Sequence, residues 1–108
     1  MRALQQSLAG VKVRAVELPL LLARDGIVWR GSADLVFEEG GELVVADWKS
    51  DRVKGDAALD ALATRYRPQL ELYRDAVAAA LAPGEPGRAT KPPRIELLLL
   101  RAGRRLAL

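Results

Sequence analysis

The chain contains no cysteine and no histidine, and its 108 residues include only one phenylalanine, two tryptophans and two tyrosines. Without cysteine there are no disulfides and no thiol chemistry, which fits a reducing cytoplasm. Without cysteine or histidine the chain also lacks the ligands that bind zinc in most proteins. We therefore do not expect a zinc site.

Long apolar runs are missing as well. No run approaches the roughly 18 residues that a membrane span needs, and the opening MRALQQSLAG has no apolar segment of signal-peptide length. We expect a soluble, cytoplasmic protein.

Length and charge set broad limits. A chain of 108 residues, half of them hydrophobic, can form one small domain with a single core. Seventeen basic against fourteen acidic side chains give a formal charge of +3. This excess is compatible with a polyanionic partner without requiring one.

The pattern along the chain predicts three strands, a helix and one or two further strands. The strands at 11–23, 27–38 and 42–49 are separated by the turn signals Asp25-Gly26 and Gly40-Gly41, which favour an antiparallel meander. In the second strand Ala33, Leu35 and Phe37 alternate with residues of the opposite face.

A helix is predicted over 57–82, with Pro68 either starting its main part or kinking a longer helix. The segment 83–93 reads as a loop, and 94–102 as a buried strand with a possible short partner in 104–108. This order predicts an α/β or α+β fold with the helix packed on one face of the sheet. The apolar stripe of the helix is formed by Leu59, Leu62, Tyr66, Leu70, Tyr73, Val77 and Leu81.

Acidic and basic side chains meet on two neighbouring strands. Asp47 and Lys49 are two residues apart and share one face of their strand. Asp34, on the preceding strand, is expected to face Asp47 across the hairpin. Because opposed like charges repel, the pair needs a counter-ion, and Mg²⁺ suits two carboxylates. The sequence thus predicts a magnesium-dependent phosphodiesterase in which Lys49 positions water or offsets charge on the phosphate.

A plainer interpretation of the same spacing is a solvated ion pair, since short motifs of this kind arise by chance. The run Val44-Val45-Ala46 leads directly into Asp47 and favours the functional interpretation, because an unpaired charge is costly at a desolvated strand end.

The helix contributes a second pair. Gln69 and Tyr73 are four residues apart, share a helix face and lie within reach of the strand ends. Tyr73 is also on the apolar stripe and so fits a core role, whereas Gln69 is harder to explain as core. The basic residues Arg52, Lys54, Arg65, Arg67 and Arg74 are candidates for DNA-backbone contacts or ordinary surface charges.

Four blocks together resemble a known family. Glu17, GSADLVF at 31–37, VVADWKSD at 44–51 and RYRPQLELY at 65–73 are similar, in order and spacing, to the nuclease domain at the C-terminus of RecB and AddA helicase-nucleases, in the PD-(D/E)xK superfamily. The resemblance implies a restriction-endonuclease-like core. It implies Mg²⁺, replaceable by Mn²⁺, bound by Asp34, Asp47 and the backbone carbonyl of Trp48, with Glu17 as a further candidate ligand. It also implies that Lys49 orients the water and that Gln69 and Tyr73 complete the catalytic site.

The implied function is exonuclease-type hydrolysis of DNA in recombination and repair, and the implied partners are single-stranded DNA ends and a helicase domain or subunit. The chain departs from the family at Trp48 and Ser50, where Tyr and Thr are usual, and in lacking a histidine-bearing helix before the first strand. It is therefore expected to be a fragment, or a reduced form without the N-terminal helix and the motor. The alternatives are an inactive module that binds DNA or docks a helicase, and a structural domain whose two aspartates lie apart in solvent.

Overall fold

The computed structural model describes residues 2–81 and 92–108. They form one five-stranded sheet in the order β1-β2-β3-β4-β5, with two helices. The predicted order of three strands, a helix and two strands is confirmed. The elements are α1 (Arg2–Ser7), β1 (Lys12–Arg24), β2 (Ile27–Glu39), β3 (Glu42–Lys49), α2 (Asp56–Leu81), β4 (Arg94–Leu99) and β5 (Arg104–Ala107).

Two tight turns set the register of the first three strands. Asp25 and Gly26 have φ of 54° and 75°, and Gly40 and Gly41 have φ of 61° and 81°. Two successive left-handed residues are typical of the type I′ turn, whose twist matches that of the strands it joins. The predicted antiparallel meander is confirmed.

The second half of the sheet is built through a crossover. β3 pairs with β4 in parallel, and β5 returns antiparallel to β4. Parallel neighbours need a long connection, which α2 supplies. The short partner strand predicted after the final buried strand is thereby confirmed, while most of the predicted loop 83–93 lies outside the described residues.

α2 is continuous through Pro68. Pro68 has no N–H to donate to the carbonyl of Thr64, four residues earlier. Thr64 is exposed, so water can take the place of the missing donor. Pro68 therefore lies inside one long helix and does not start it. No helix in the described ranges combines the length and apolar character needed to cross a membrane.

The sheet separates two apolar clusters. Val36, Val45 and Leu97 belong to the cluster beneath α2, whereas Phe37 and Val44 belong to the cluster beneath α1. The molecule therefore has three layers. The sequence predicts no helix before β1, but α1 is present. It has only six residues and was hard to detect because it is too short to show a helical period.

Strand alternation breaks next to Asp34. Ala33 and Val36, three residues apart, both join the α2-side cluster, as do Ala15 and Leu18 on β1. A regular strand would send residues three apart to opposite faces. Between Ala15 and Leu18 lies Glu17, whose φ of 51° is left-handed and uncommon for a residue with a side chain. The predicted grouping of Ala33 with Leu35 and Phe37 on one face is therefore wrong.

Candidate active site

The two predicted aspartates meet where β2 and β3 separate. The ladder between these strands ends at the pair Leu35 and Ala46. One residue further, Asp47 Oδ1 accepts a hydrogen bond from the Asp34 N–H at 3.1 Å. In return, Asp34 Oδ2 accepts one from the Trp48 N–H at 2.9 Å. Each carboxylate thus replaces a missing backbone acceptor on the other strand, and this holds the two side chains together.

One oxygen of each carboxylate remains available. Within residues 2–81 and 92–108, no hydrogen bond uses Asp34 Oδ1 or Asp47 Oδ2. No fully buried side-chain oxygen or nitrogen in these ranges lacks a partner. The two oxygens are therefore open to water or to an ion. The interpretation as a structural domain, with its aspartates apart in solvent, does not fit this arrangement.

Asp47 lies in an environment that disfavours its charge. Its exposed fraction is 4 %. Burial raises the pKa of the Asp47 carboxyl, and the nearby charge of Asp34 raises it further. The Asp34 N–H and Lys49 oppose these effects, but the net pKa shift is upward. A cation bound between the aspartates would relieve the destabilisation of the charged form.

Lys49 is held on the α2 side of the sheet. Its Nζ lies 4.1 Å from the centroid of the Tyr66 ring, a cation–π contact. Val45 belongs to the α2-side cluster and Ala46 to the opposite one, as expected if Asp47 and Lys49 share the α2 face. Tyr66 was not predicted as a site residue. Its position three residues before Gln69, on the same helix stripe, was the available signal.

Gln69 and Tyr73 form a pair on α2. Gln69 Nε2 donates a hydrogen bond to Tyr73 Oη at 2.8 Å. The Tyr73 ring lies so close to β2 that a Cβ on Gly31 would stand 2.5 Å from Tyr73 Cε1. Tyr73 also packs on the α2-side core. It is therefore a core residue and at the same time carries a phenol on the face of the sheet used by Lys49.

The remaining candidates lie around this centre. Glu17 falls opposite Asp34, because its neighbours Val16 and Leu18 pair with Leu35 and Ala33. In the described part of the chain, however, no three acidic side chains gather at one point, so Glu17 does not join the two aspartates. Its role as a metal ligand stays a prediction.

The basic residues differ in their surroundings. Arg52 and Lys54 are exposed in the link that follows β3, and Arg65 and Arg67 are exposed on α2. Arg74 Nε lies 3.3 Å from Asp75 and is partly neutralised by it. DNA contacts by the first four remain predictions.

Comparison with known proteins decides the family. A family model described as the PD-(D/E)XK nuclease superfamily matches residues 1–105. The chain belongs to this superfamily. The predicted resemblance and the restriction-endonuclease-like α/β core are confirmed.

Three curated relatives are named as the first of the subunits of an ATP-dependent helicase/nuclease. The chain is 47 % identical over 55 residues to that of Desulforudis audaxviator, with 51 % of this chain and 4 % of the relative covered. It is 40 % identical over 57 residues to that of Bacillus pumilus, covering 47 % and 5 %. It is also 40 % identical over 68 residues to that of Anoxybacillus flavithermus, covering 58 % and 6 %. The chain thus spans only a small part of the length of these relatives.

Proposed function

We propose that this chain is a nuclease domain that hydrolyses DNA phosphodiester bonds with Mg²⁺, in exonuclease fashion, within a cytoplasmic helicase-nuclease acting in recombination and repair. The observation that carries the proposal is the reciprocal pairing of Asp34 and Asp47 at the end of the β2–β3 ladder. The superfamily and the helicase/nuclease names of the relatives support the same reaction class.

The donor set fits a hard divalent cation. Asp34 Oδ1 and Asp47 Oδ2 are the open carboxylate oxygens, and Mg²⁺ is usually bound by one or two carboxylates with waters and substrate phosphate. The Trp48 N–H points to Asp34, and in a strand the N–H and C=O of one residue point to the same side. The Trp48 carbonyl is therefore directed toward the aspartates as a third oxygen. When bound, Mg²⁺ or Mn²⁺ supplies polarisation of the phosphate and a more acidic water.

The side chains of the chain itself perform the remaining tasks. Lys49, held over Tyr66, offers a fixed positive charge that orients the attacking water and offsets charge growing on the phosphate. Tyr73 Oη accepts from Gln69, so its own proton is free for donation to a phosphate oxygen. In this proposal Arg52, Lys54, Arg65 and Arg67 contact the DNA backbone, with single-stranded ends as the substrate.

The proposal is tested by cleavage of end-labelled single- and double-stranded DNA with and without Mg²⁺, in this chain and in a longer protein that includes the helicase. We expect magnesium-dependent cleavage that Asp47→Ala and Lys49→Ala both abolish. Lys12→Ala, at an exposed lysine at the start of β1, is the matched control and should cleave like wild type. Cleavage that survives Asp47→Ala in the longer protein contradicts the proposal.

A second candidate is an inactive nuclease-fold module that binds DNA or docks a helicase. The complete lack of histidine, a departure from the family pattern, favours it. Such a module binds DNA equally well with chelator and leaves the strand intact in every protein that contains it.

A further inference from the structure

A cleft lies beside the proposed site, between the β1–β2 hairpin and α2. Its volume is about 420 Å³, within the range of roughly 300–1,000 Å³ found for small-molecule pockets. The strand side is lined by Leu22 and Trp29 and the helix side by Gln69 and Leu72. The cleft is therefore largely apolar, with the Gln69–Tyr73 pair as its polar wall.

Trp29 gives the cleft an aromatic surface that water can reach. Its exposed fraction is 46 % although it lines the cleft with Leu22, its partner across the hairpin. An accessible indole above an apolar floor, with an amide on the wall, suits a flat heterocycle. A nucleobase is such a group, and stacking on aromatic side chains tolerates any base.

The charge around the cleft selects a polyanion. Arg30 and Arg65 line it, and no acidic residue does. Among the described residues, neither arginine forms an ion pair with a carboxylate. A base that enters the cleft brings a phosphate on each side, which these guanidinium groups can bind.

The position of the cleft connects it to the aspartates. Gly31 lines the cleft and lies three residues before Asp34 on β2, a separation of about 10 Å along a strand. Tyr73 lines the cleft and touches Gly31. A strand whose phosphate lies at Asp34 and Asp47 can therefore place a neighbouring base in the cleft.

We propose that this cleft is a nucleobase subsite, with Trp29 as the stacking surface and Arg30 and Arg65 as the flanking phosphate contacts. The proposal rests on the proposed nuclease function and specifies its substrate as a strand with unpaired bases. A base held in a duplex is not free to enter a cleft of this kind.

The test measures binding of dye-labelled single-stranded oligonucleotides by fluorescence anisotropy in chelator, so that no cleavage occurs. Trp29→Ala should weaken binding of a base-containing strand about 5- to 100-fold, the loss typical of one base–aromatic stack. It should leave binding of an abasic strand of equal length unchanged, and Trp29→Phe should retain most of the affinity. The matched control is Val28→Ala, at the neighbouring residue on the opposite strand face, which is 55 % exposed and outside the cleft.

Equal effects of Trp29→Ala on base-containing and abasic strands, or no effect on either, overturn the subsite. Magnesium-dependent cleavage is measured on the same variants to separate the two proposals. If cleavage is intact and depends on Asp47 while Trp29→Ala is neutral, the nuclease function stands and the subsite is wrong. If the longer protein neither binds nor cleaves any strand, the proposed function is wrong and the subsite falls with it.

Discussion

Asp47 ends an apolar strand and is almost wholly removed from water, one residue beyond the last pair of the β2–β3 ladder. The same burial that makes its charge unfavourable in the free protein makes a bound cation favourable. Removal of the charge should therefore stabilise the fold and abolish the reaction, a trade-off common at functional sites.

Asp47→Asn in chelator is expected to raise the free energy of unfolding near neutral pH. The folded pKa of Asp47 lies above its ordinary value of 3.8. Between these two pKa values the folded wild type binds more protons than the unfolded chain, so wild-type stability falls as pH rises through that window. The asparagine does not titrate, and its amide oxygen can still accept from the Asp34 N–H.

Urea unfolding followed by circular dichroism at a series of pH values checks this. The advantage of Asp47→Asn should be small below about pH 3.8, grow as pH rises and then level off. Asp60→Asn, on the exposed face of α2, is the control and should track wild type. An Asp47→Asn variant less stable than wild type at neutral pH would show that burial does not dominate.

Gly31→Ala is expected to destabilise the fold by about 1–3 kcal/mol, the usual range for overpacking. The new Cβ would stand 2.5 Å from Tyr73 Cε1 and 2.7 Å from Tyr73 Oη, so the ring must move. Its hydrogen bond from Gln69 would be lost, and cleavage should fall with it.

Thermal unfolding and cleavage rate of Gly31→Ala are compared with those of Gly10→Ala, where an added Cβ meets no atom within 4 Å. The Gly10 variant should match wild type in both. If Gly31→Ala also matches wild type, the close approach of Tyr73 to β2 is not required.

At the scale of elements, the far side of the sheet is joined by an ionic cluster centred on Arg105 of β5. Its Nε lies 2.7 Å from Glu96 Oε1 on β4, and its Nη2 lies 2.6 Å from Glu39 Oε1 at the end of β2. Arg94 also binds Glu39, at 2.7 Å. The cluster connects three strands, two of which are not neighbours in the sheet.

Glu39→Gln is expected to lower stability at neutral pH but not in strong acid. Hydrogen bonds from Arg105 and then Arg94 lower the pKa of Glu39 from 4.5 to about 2. A lowered folded pKa means that this stabilisation is present above about pH 4.5 and is lost as pH falls toward 2. Unfolding of wild type and Glu39→Gln between pH 2 and pH 7 should therefore converge at the acid end. Glu71→Gln on α2 is the control, and curves that stay parallel at all pH values would contradict the linkage.

Local signals were enough to predict the strands, the helix and both hairpins, because Asp25-Gly26 and Gly40-Gly41 favour one turn type. They were not enough for α1 or for the break in alternation between Ala33 and Val36, both of which depend on tertiary packing. The pairing of Asp34 with Asp47 followed from strand geometry. The contact of Lys49 with Tyr66 and the Trp29 cleft did not, since they depend on how α2 is placed on the sheet.

At the scale of the whole molecule, the site lies where the sheet changes direction. Among the five described strands, only β3 and β4 have a parallel partner on one side and an antiparallel partner on the other, and β3 joins β2 to β4. Asp47 and Lys49 are at the C-terminal end of β3, just before the crossover through α2. Ligands of open α/β sheets bind beyond the carboxyl ends of strands, where the connections diverge. Metal, lysine and cleft therefore share one mouth between the β2–β3 fork and α2.

Metal binding should be visible in the stability of the entire chain. A ligand that binds only the folded state at about 100 times its Kd adds about 2.7 kcal/mol to the free energy of unfolding. Wild type is expected to gain stability with Mg²⁺ or Mn²⁺ over NaCl of equal ionic strength, whereas Asp34→Asn and Asp47→Asn should gain little. Lys49→Ala should keep the gain, because its ammonium is no metal ligand, and yet lose cleavage. Thermal unfolding of the four proteins with and without metal separates binding from chemistry. An equal gain in Asp47→Asn would place the cation elsewhere, and loss of the gain in Lys49→Ala would show that the lysine acts through metal affinity.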